Sequence, residues 1–187
     1  MKKIFFLFLF SIFFFTGFAN HIKGGFFTYQ YKGPGIANPA NLRYDITLTV
    51  YMLCGPSAGQ LTNPINFSFF STASGGFIQN RSVNITNRYD LSKNSDEPCI
   101  TGDQRACYYH IVIYSLSDVE LAPLAGGYTI SYQRCCRINN MENVINSSSV
   151  GNTYTIAIPG SNAPFNTQTN SSPQFPVNDT AVVCENN

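Results

Sequence analysis

The chain has 187 residues, a formal net charge of +1, 11% charged and 14% aromatic residues, six Cys, no Trp and two His. Near-neutrality excludes the electrostatic footprint of a protein that binds nucleic acid or anionic lipid. High apolar and aromatic content at this length excludes disorder and suits one domain, or two small ones, with a proper core.

The first nineteen residues, MKKIFFLFLFSIFFFTGFA, open with Lys2 and Lys3 and continue through an apolar run to Phe15. Gly17 and Ala19 then stand at the −3 and −1 positions of a cleavage site. Residues 1–19 therefore read as a secretory signal peptide. The run is short for a membrane-spanning helix of ~20 residues. With no second long apolar run, the mature chain is expected to carry no integral membrane segment. Cleavage removes two basic residues and no acidic one, taking the net charge from +1 to −1.

Downstream, the patterns are those of strands. HIKGGFFTYQY (21–31) is a less regular candidate. LRYDITLTVYMLC (42–54) alternates, with Tyr44, Ile46, Leu48, Val50 and Met52 on one face and Asp45, Thr47 and Thr49 on the other. INFSFF (65–70) and GFIQNRSVNI (76–85) are two further less regular candidates. CYYHIVIYSL (107–116) is apolar on both faces, as a central strand would be. GYTISYQRCC (127–136) places Tyr128, Ile130 and Tyr132 on one side, and NTYTIAIPG (152–160) does so with Tyr154, Ile156 and Ile158. Gly-Gly precedes an aromatic at 24–25, 75–76 and 126–127 and reads as three similar strand starts.

Stretches rich in Gly, Pro, Asn, Asp and Ser separate these runs, such as KGPGIANPAN and LSKNSDEPCITGDQ. About seven strands and no credible helix predict an all-β fold. The expected architecture is an antiparallel β-sandwich of immunoglobulin-like type over residues 20–160, without the Trp of antibody cores. Residues 161–187, rich in Pro, Asn, Ser and Thr, are expected to run extended along the domain and to be tied near Cys184.

All six Cys (Cys54, Cys99, Cys107, Cys135, Cys136 and Cys184) lie beyond the leader. An even count in an exported chain argues for three disulfides. A metal site is the rival reading, but there is no C-x-x-C pair. Cys99 and Cys107 bracket a short loop and suit a local bond. Cys135 and Cys136 face opposite sides of a strand and need different partners. Strand phase favours Cys54–Cys136 through the core and Cys135–Cys184 on the tail, and the swapped arrangement stays open.

The chain shows no catalytic constellation. H-E-x-x-H and glycine-rich phosphate loops are missing, and the one G-x-S-x-G match, G-P-S-A-G at 55–59, lies in the turn-rich stretch CGPSAGQLTNP, so the sequence reads as non-enzymatic. His110 lies in a strand run and reads as a packed or cross-strand histidine. Asp96, Glu97 and Asp103 crowd one loop with oxygen ligands that suit Ca²⁺, but without EF-hand spacing. A solvated loop is the first reading there, and no cofactor is expected. Tyrosines fall on both strand parities, and Tyr29, Tyr31, Tyr108 and Tyr109 are candidate surface contacts for protein or glycan. Sequons at Asn66, Asn80, Asn84, Asn146, Asn170 and Asn178 carry little weight in an Asn-rich chain.

NHIKGGFFTYQY, YDITLTVYMLC, GYTISYQRCCRINNMENV, NSSPQF and the closing VVC, in this order, resemble one family. It is the N-terminal region of large secreted surface proteins of the Bacteroidota, which carry a gliding-motility-associated C-terminal sorting domain. Q-R-C-C-R and N-S-S-P are the most specific parts, and the likeness covers 20–187. It implies an extracellular, adhesin-like or surface-layer role at the bacterial cell surface, with type IX export. These 187 residues contain no sorting domain, so a truncated relative and a self-assembling subunit are both expected readings. In such a bacterium Asp179-Thr180-Ala181 resembles an O-glycosylation acceptor, which makes Thr180 a glycan candidate.

Two roles follow. One is an adhesin-like binding module whose partners are other surface proteins or glycans. The other is a filament subunit that joins copies of itself by strand addition, donating 20–31 or 161–187.

Overall fold

The computed structural model describes residues 22–54, 62–91, 109–135, 137–138 and 141–174. Eight strands run through them: β1 (Ile22–Pro34), β2 (Leu42–Leu53), β3 (Ile65–Ser71), β4 (Phe77–Val83), β5 (Ile85–Leu91), β6 (Tyr109–Leu121), β7 (Tyr128–Arg134) and β8 (Asn152–Ile158). They form two antiparallel four-stranded sheets, one ordered β1-β2-β6-β5 and the other β4-β3-β7-β8. The described residues contain no α-helix, only short 3₁₀ segments at Ser147–Ser149 and Pro164–Thr169.

Alternation in β2 works as the sequence suggests. Tyr44, Ile46, Leu48, Val50 and Met52 are all at most 2% exposed and face the other sheet. There they meet Ile65, Phe67 and Phe69 of β3 and Ile130 and Tyr132 of β7 within one core. Phe27 of β1 packs edge-on against Phe67, with centroids 5.0 Å apart. Burying each such ring contributes roughly 2–3 kcal/mol. β6 lies between β2 and β5. Its core face carries Val112 and Tyr114, and on its other face Ile111 is fully buried, in register with Tyr51 and Tyr89.

The structure corrects three sequence readings. The candidate strand 76–85 is two strands in different sheets, β4 and β5, separated by Asn84 alone. Asn63 Oδ1 accepts the Ile85 N–H at 3.0 Å just past that crossing. No Gly or Pro punctuates it. β6 continues past Leu116 through a bulge at Asp118, whose φ is +55°. That bulge switches the core parity from Tyr114 to Val119 and Leu121. In β1 a register shift between Ile22 and Gly24 has the same effect. Phe27 and Tyr29 therefore share the core with Ile22, which makes Tyr29, 7% exposed, a core residue and no surface contact.

Two of the three Gly-Gly pairs do precede strands, β4 and β7, whereas the pair at 24–25 lies inside β1. At Gly127 a positive φ of +77° coincides with close approach of the Ile158 carbonyl and the Pro159–Gly160 backbone, so no side chain fits.

Cys54 follows β2 and Cys135 follows β7, and both are disulfide-bonded. Cys99, Cys107, Cys136 and Cys184 lie outside the described residues, and each expected pair includes at least one of them. The leader 1–19, the Asp96–Glu97–Asp103 loop, Tyr108 and Thr180 also lie outside.

Candidate functional site: a cleft between two strands

Along β3, Ile65, Phe67 and Phe69 point into the core, so Asn66, Ser68 and Phe70 face outward. On β7 the core takes Ile130 and Tyr132, which turns Ser131 and Gln133 outward. The two strands pair only from Ser68–Ser71 to Tyr128–Ser131. Beyond that, β3 stays paired with β4 and β7 with β8. The two halves of the sheet part, and a cleft of about 420 Å³ opens between them.

Its walls carry Asn66, Ser68 and Phe70 from β3, Asn80 from β4, and Ser131, Gln133 and Arg134 from β7. Ser68 donates to Asn80 Oδ1 at 2.8 Å. Phe70 is backed by Phe77 in an edge contact at 5.8 Å. Ser131 is 5% exposed, and its hydroxyl has no hydrogen-bond partner in the protein. An unpaired buried hydroxyl is costly, and Ser131 is part of the cleft lining, so a small local shift would let a ligand pair it.

Arg134 is the only charged side chain among the described residues that line the cleft. Thr62, a lining residue, accepts a hydrogen bond from the Tyr114 hydroxyl at its carbonyl, at 2.9 Å. Burial pushes the Tyr114 hydroxyl up to about 12, with a smaller rise from Tyr132 and an opposing pull from Arg134. The wall is therefore neutral apart from one guanidinium, and rich in amide and hydroxyl groups.

The residues singled out from sequence fall elsewhere. Tyr31 is half-buried, tilted against Tyr44 at 5.7 Å. Tyr109 is half-buried on the outer face of the other sheet, with the Lys23 ammonium 5.4 Å above its ring and 3.3 Å from its hydroxyl. His110 of β6 pairs with Asp90 of β5 at 2.5 Å, a cross-strand contact. Among the described residues no group of three His, Cys, Asp or Glu converges on a point. A smaller recess of about 180 Å³ lies beside Thr47, Ser115 and Gln174.

No protein-family model, curated protein or solved structure matches the chain. No helix among the described residues is long and apolar enough to cross a membrane.

The cleft is not visible in the one-dimensional pattern. Outward parity of Asn66, Ser68, Ser131 and Gln133 can be read from INFSFF and GYTISYQR. That β3 and β7 are neighbours, and that they part, depends on pairing across about sixty residues of sequence, from Ser68 with Ser131 to Ser71 with Tyr128.

Proposed function

We propose that this protein is a non-enzymatic, extracellular recognition module of a bacterial surface, adhesin-like, built as a disulfide-stapled immunoglobulin-like sandwich. The observation that carries the reading is the recessed, mainly neutral cleft with its unpaired Ser131 hydroxyl, on an outward sheet face. The leader-like residues 1–19 support export. The likeness to the Bacteroidota surface proteins supports the setting, with type IX export and a glycan on Thr180 as further parts of the proposal.

The blocks that carry this likeness have structural jobs here. HIKGGFFTYQY lies largely in β1, YDITLTVYMLC in β2 and GYTISYQR in β7. N-S-S-P meets the free edge of β1, where Ser171 and Ser172 accept the N–H groups of Tyr31 and Tyr29 at 3.0 and 2.8 Å. Cys54 follows a strand of one sheet and Cys135 a strand of the other, so a bond from Cys54 to Cys136 would tie the two layers.

The filament reading has less support. Over the described residues both expected donor segments are engaged within their own chain, β1 with β2 and residues 168–172 with β1 and Tyr44. Strand donation by either would first have to undo those bonds.

The test has two parts. Intact cells are treated with a membrane-impermeant biotin reagent, and the purified mature protein is assayed for retention on whole cells and cell-wall material. Labelling together with saturable retention is expected. Protection from the reagent, or no retention on any surface, overturns the proposal.

A further inference from the structure

We propose that the cleft between β3 and β7 is a saccharide site, which takes a short stretch of a hydroxyl-rich glycan, neutral or anionic. This assignment deepens the surface-recognition reading and rests on it.

Four features point to this ligand class. First, Ser131 belongs to the cleft lining and is 5% exposed, and its hydroxyl is buried and unpartnered. A hydroxyl can both donate and accept, so a sugar hydroxyl matches it in either sense. Second, the surrounding polar groups are of the same two-way kind: the amides of Asn66, Asn80 and Gln133 and the hydroxyl of Ser68. Because Ser68 already donates to Asn80 Oδ1, the Asn80 NH₂ remains as donor and the Ser68 oxygen as acceptor.

Third, Phe70 gives the polar wall one aromatic face, braced by Phe77. The C–H side of a pyranose ring suits such a surface, since aromatic rings carry negative charge on their faces. Fourth, Arg134 is the only charged side chain among the described lining residues. A single guanidinium accommodates a uronic acid carboxylate. A polyphosphate or nucleic acid would call for several cations. The volume, about 420 Å³, falls in the range of small-ligand sites.

An extended peptide wedged between the parted strands is the competing occupant. It would draw mainly on backbone groups. The amide and hydroxyl side chains and the aromatic wall favour the sugar.

The full mature protein is applied to immobilised oligosaccharides of neutral hexose, N-acetylhexosamine and uronic-acid composition. The best-retained one is then titrated in solution. Binding to at least one class is expected, and at least tenfold weaker binding by Ser131→Ala and by Gln133→Ala. Ser131→Ala removes no internal hydrogen bond, so its melting temperature should match or exceed the parent's. Gln133 is exposed, which keeps the second variant informative if the first misfolds.

No retention of any oligosaccharide at millimolar ligand, with cell-surface retention intact, overturns the saccharide assignment and leaves the recognition reading standing. Loss of both overturns both. Sugar binding that neither variant weakens overturns the placement in this cleft. Cell retention abolished by protease treatment of the cells but not by periodate marks a protein partner and also overturns it.

Discussion

Glu120 shows how one carboxylate can shape a loop. Its Oε1 accepts the Ile36 and Ala37 N–H groups at 2.6 and 2.7 Å, and its Oε2 the Asn38 N–H at 3.3 Å. The Ala37 bond, with help from Ile36, Asn38 and the Asn41 side chain, holds the carboxyl below its ordinary range, against a smaller opposing effect of desolvation. Because the folded-state value is depressed, the stabilisation is fully present above the unfolded-state value and is lost as pH falls through the folded one. Glu120→Gln leaves one acceptor oxygen for three donors. We expect faster amide exchange at Ile36, Ala37 and Asn38, with the rest of the first sheet unchanged. In the parent, acid titration of those three amides should show a midpoint below the usual glutamate range. A midpoint at the ordinary value would show that the bonds do not hold in solution. Neither this residue nor Ser131 was legible as special. Glu120 lies past the Asp118 bulge, where alternation fails, and the isolation of Ser131 depends on what β3 does opposite it.

Among the elements, β1 is an edge strand, and edges present unpaired backbone groups that invite other chains. Here Tyr29 is matched on both sides of its peptide unit. Its N–H goes to Ser172 Oγ at 2.8 Å, and its carbonyl receives the Ser172 N–H at 3.0 Å. Ser171 Oγ takes the Tyr31 N–H, and the Tyr44 hydroxyl holds the Gln168 carbonyl at 2.6 Å. The segment is thus a clasp that closes the edge within the chain. Replacing Ser171 and Ser172 together by Ala removes two side-chain acceptors, worth about 1 kcal/mol each. Amide protection at Tyr29 and Tyr31 should fall about tenfold, and the protein should associate more readily at high concentration. Unchanged protection would mean that the backbone bond from Ser172 suffices. The strands differ in how far their sequences disclose them, for a local reason. β2, β7 and β8 alternate without interruption and could be read directly. β1 and β6 contain bulges that flip the buried face partway, which blurs one strand and truncates the other. The β4–β5 crossing has no breaker residue, and only the change of partner sheet reveals it.

At the scale of the molecule, the two ends of the sandwich are held by different chemistry. β2 spans twelve residues, roughly 36 Å at ~3.3 Å per residue. Near its start lie Glu120 and the 35–38 loop, held by hydrogen bonds. Past its far end lies disulfide-bonded Cys54. On that same side Ile22, paired with Met52, makes an isolated bridge to Arg137, two residues beyond disulfide-bonded Cys135. Arg137 in turn donates from Nε to the Gly151 carbonyl at 3.1 Å. One end therefore depends on redox state and the other on the ionisation of a carboxylate. Loss of a native disulfide from a small domain costs about 2–5 kcal/mol, enough to loosen one end while the shared core of Phe27, Phe67 and Leu48 persists. With reductant at neutral pH, amide protection should fall first at Ile22, Met52, Leu53 and Arg137, while Ile36 to Asn38 keep theirs. With the bonds intact and the pH lowered through the Glu120 transition, the order should reverse. If protection instead fell evenly along the chain under either treatment, the sandwich would open as one cooperative unit, and the division of labour between its ends would be wrong.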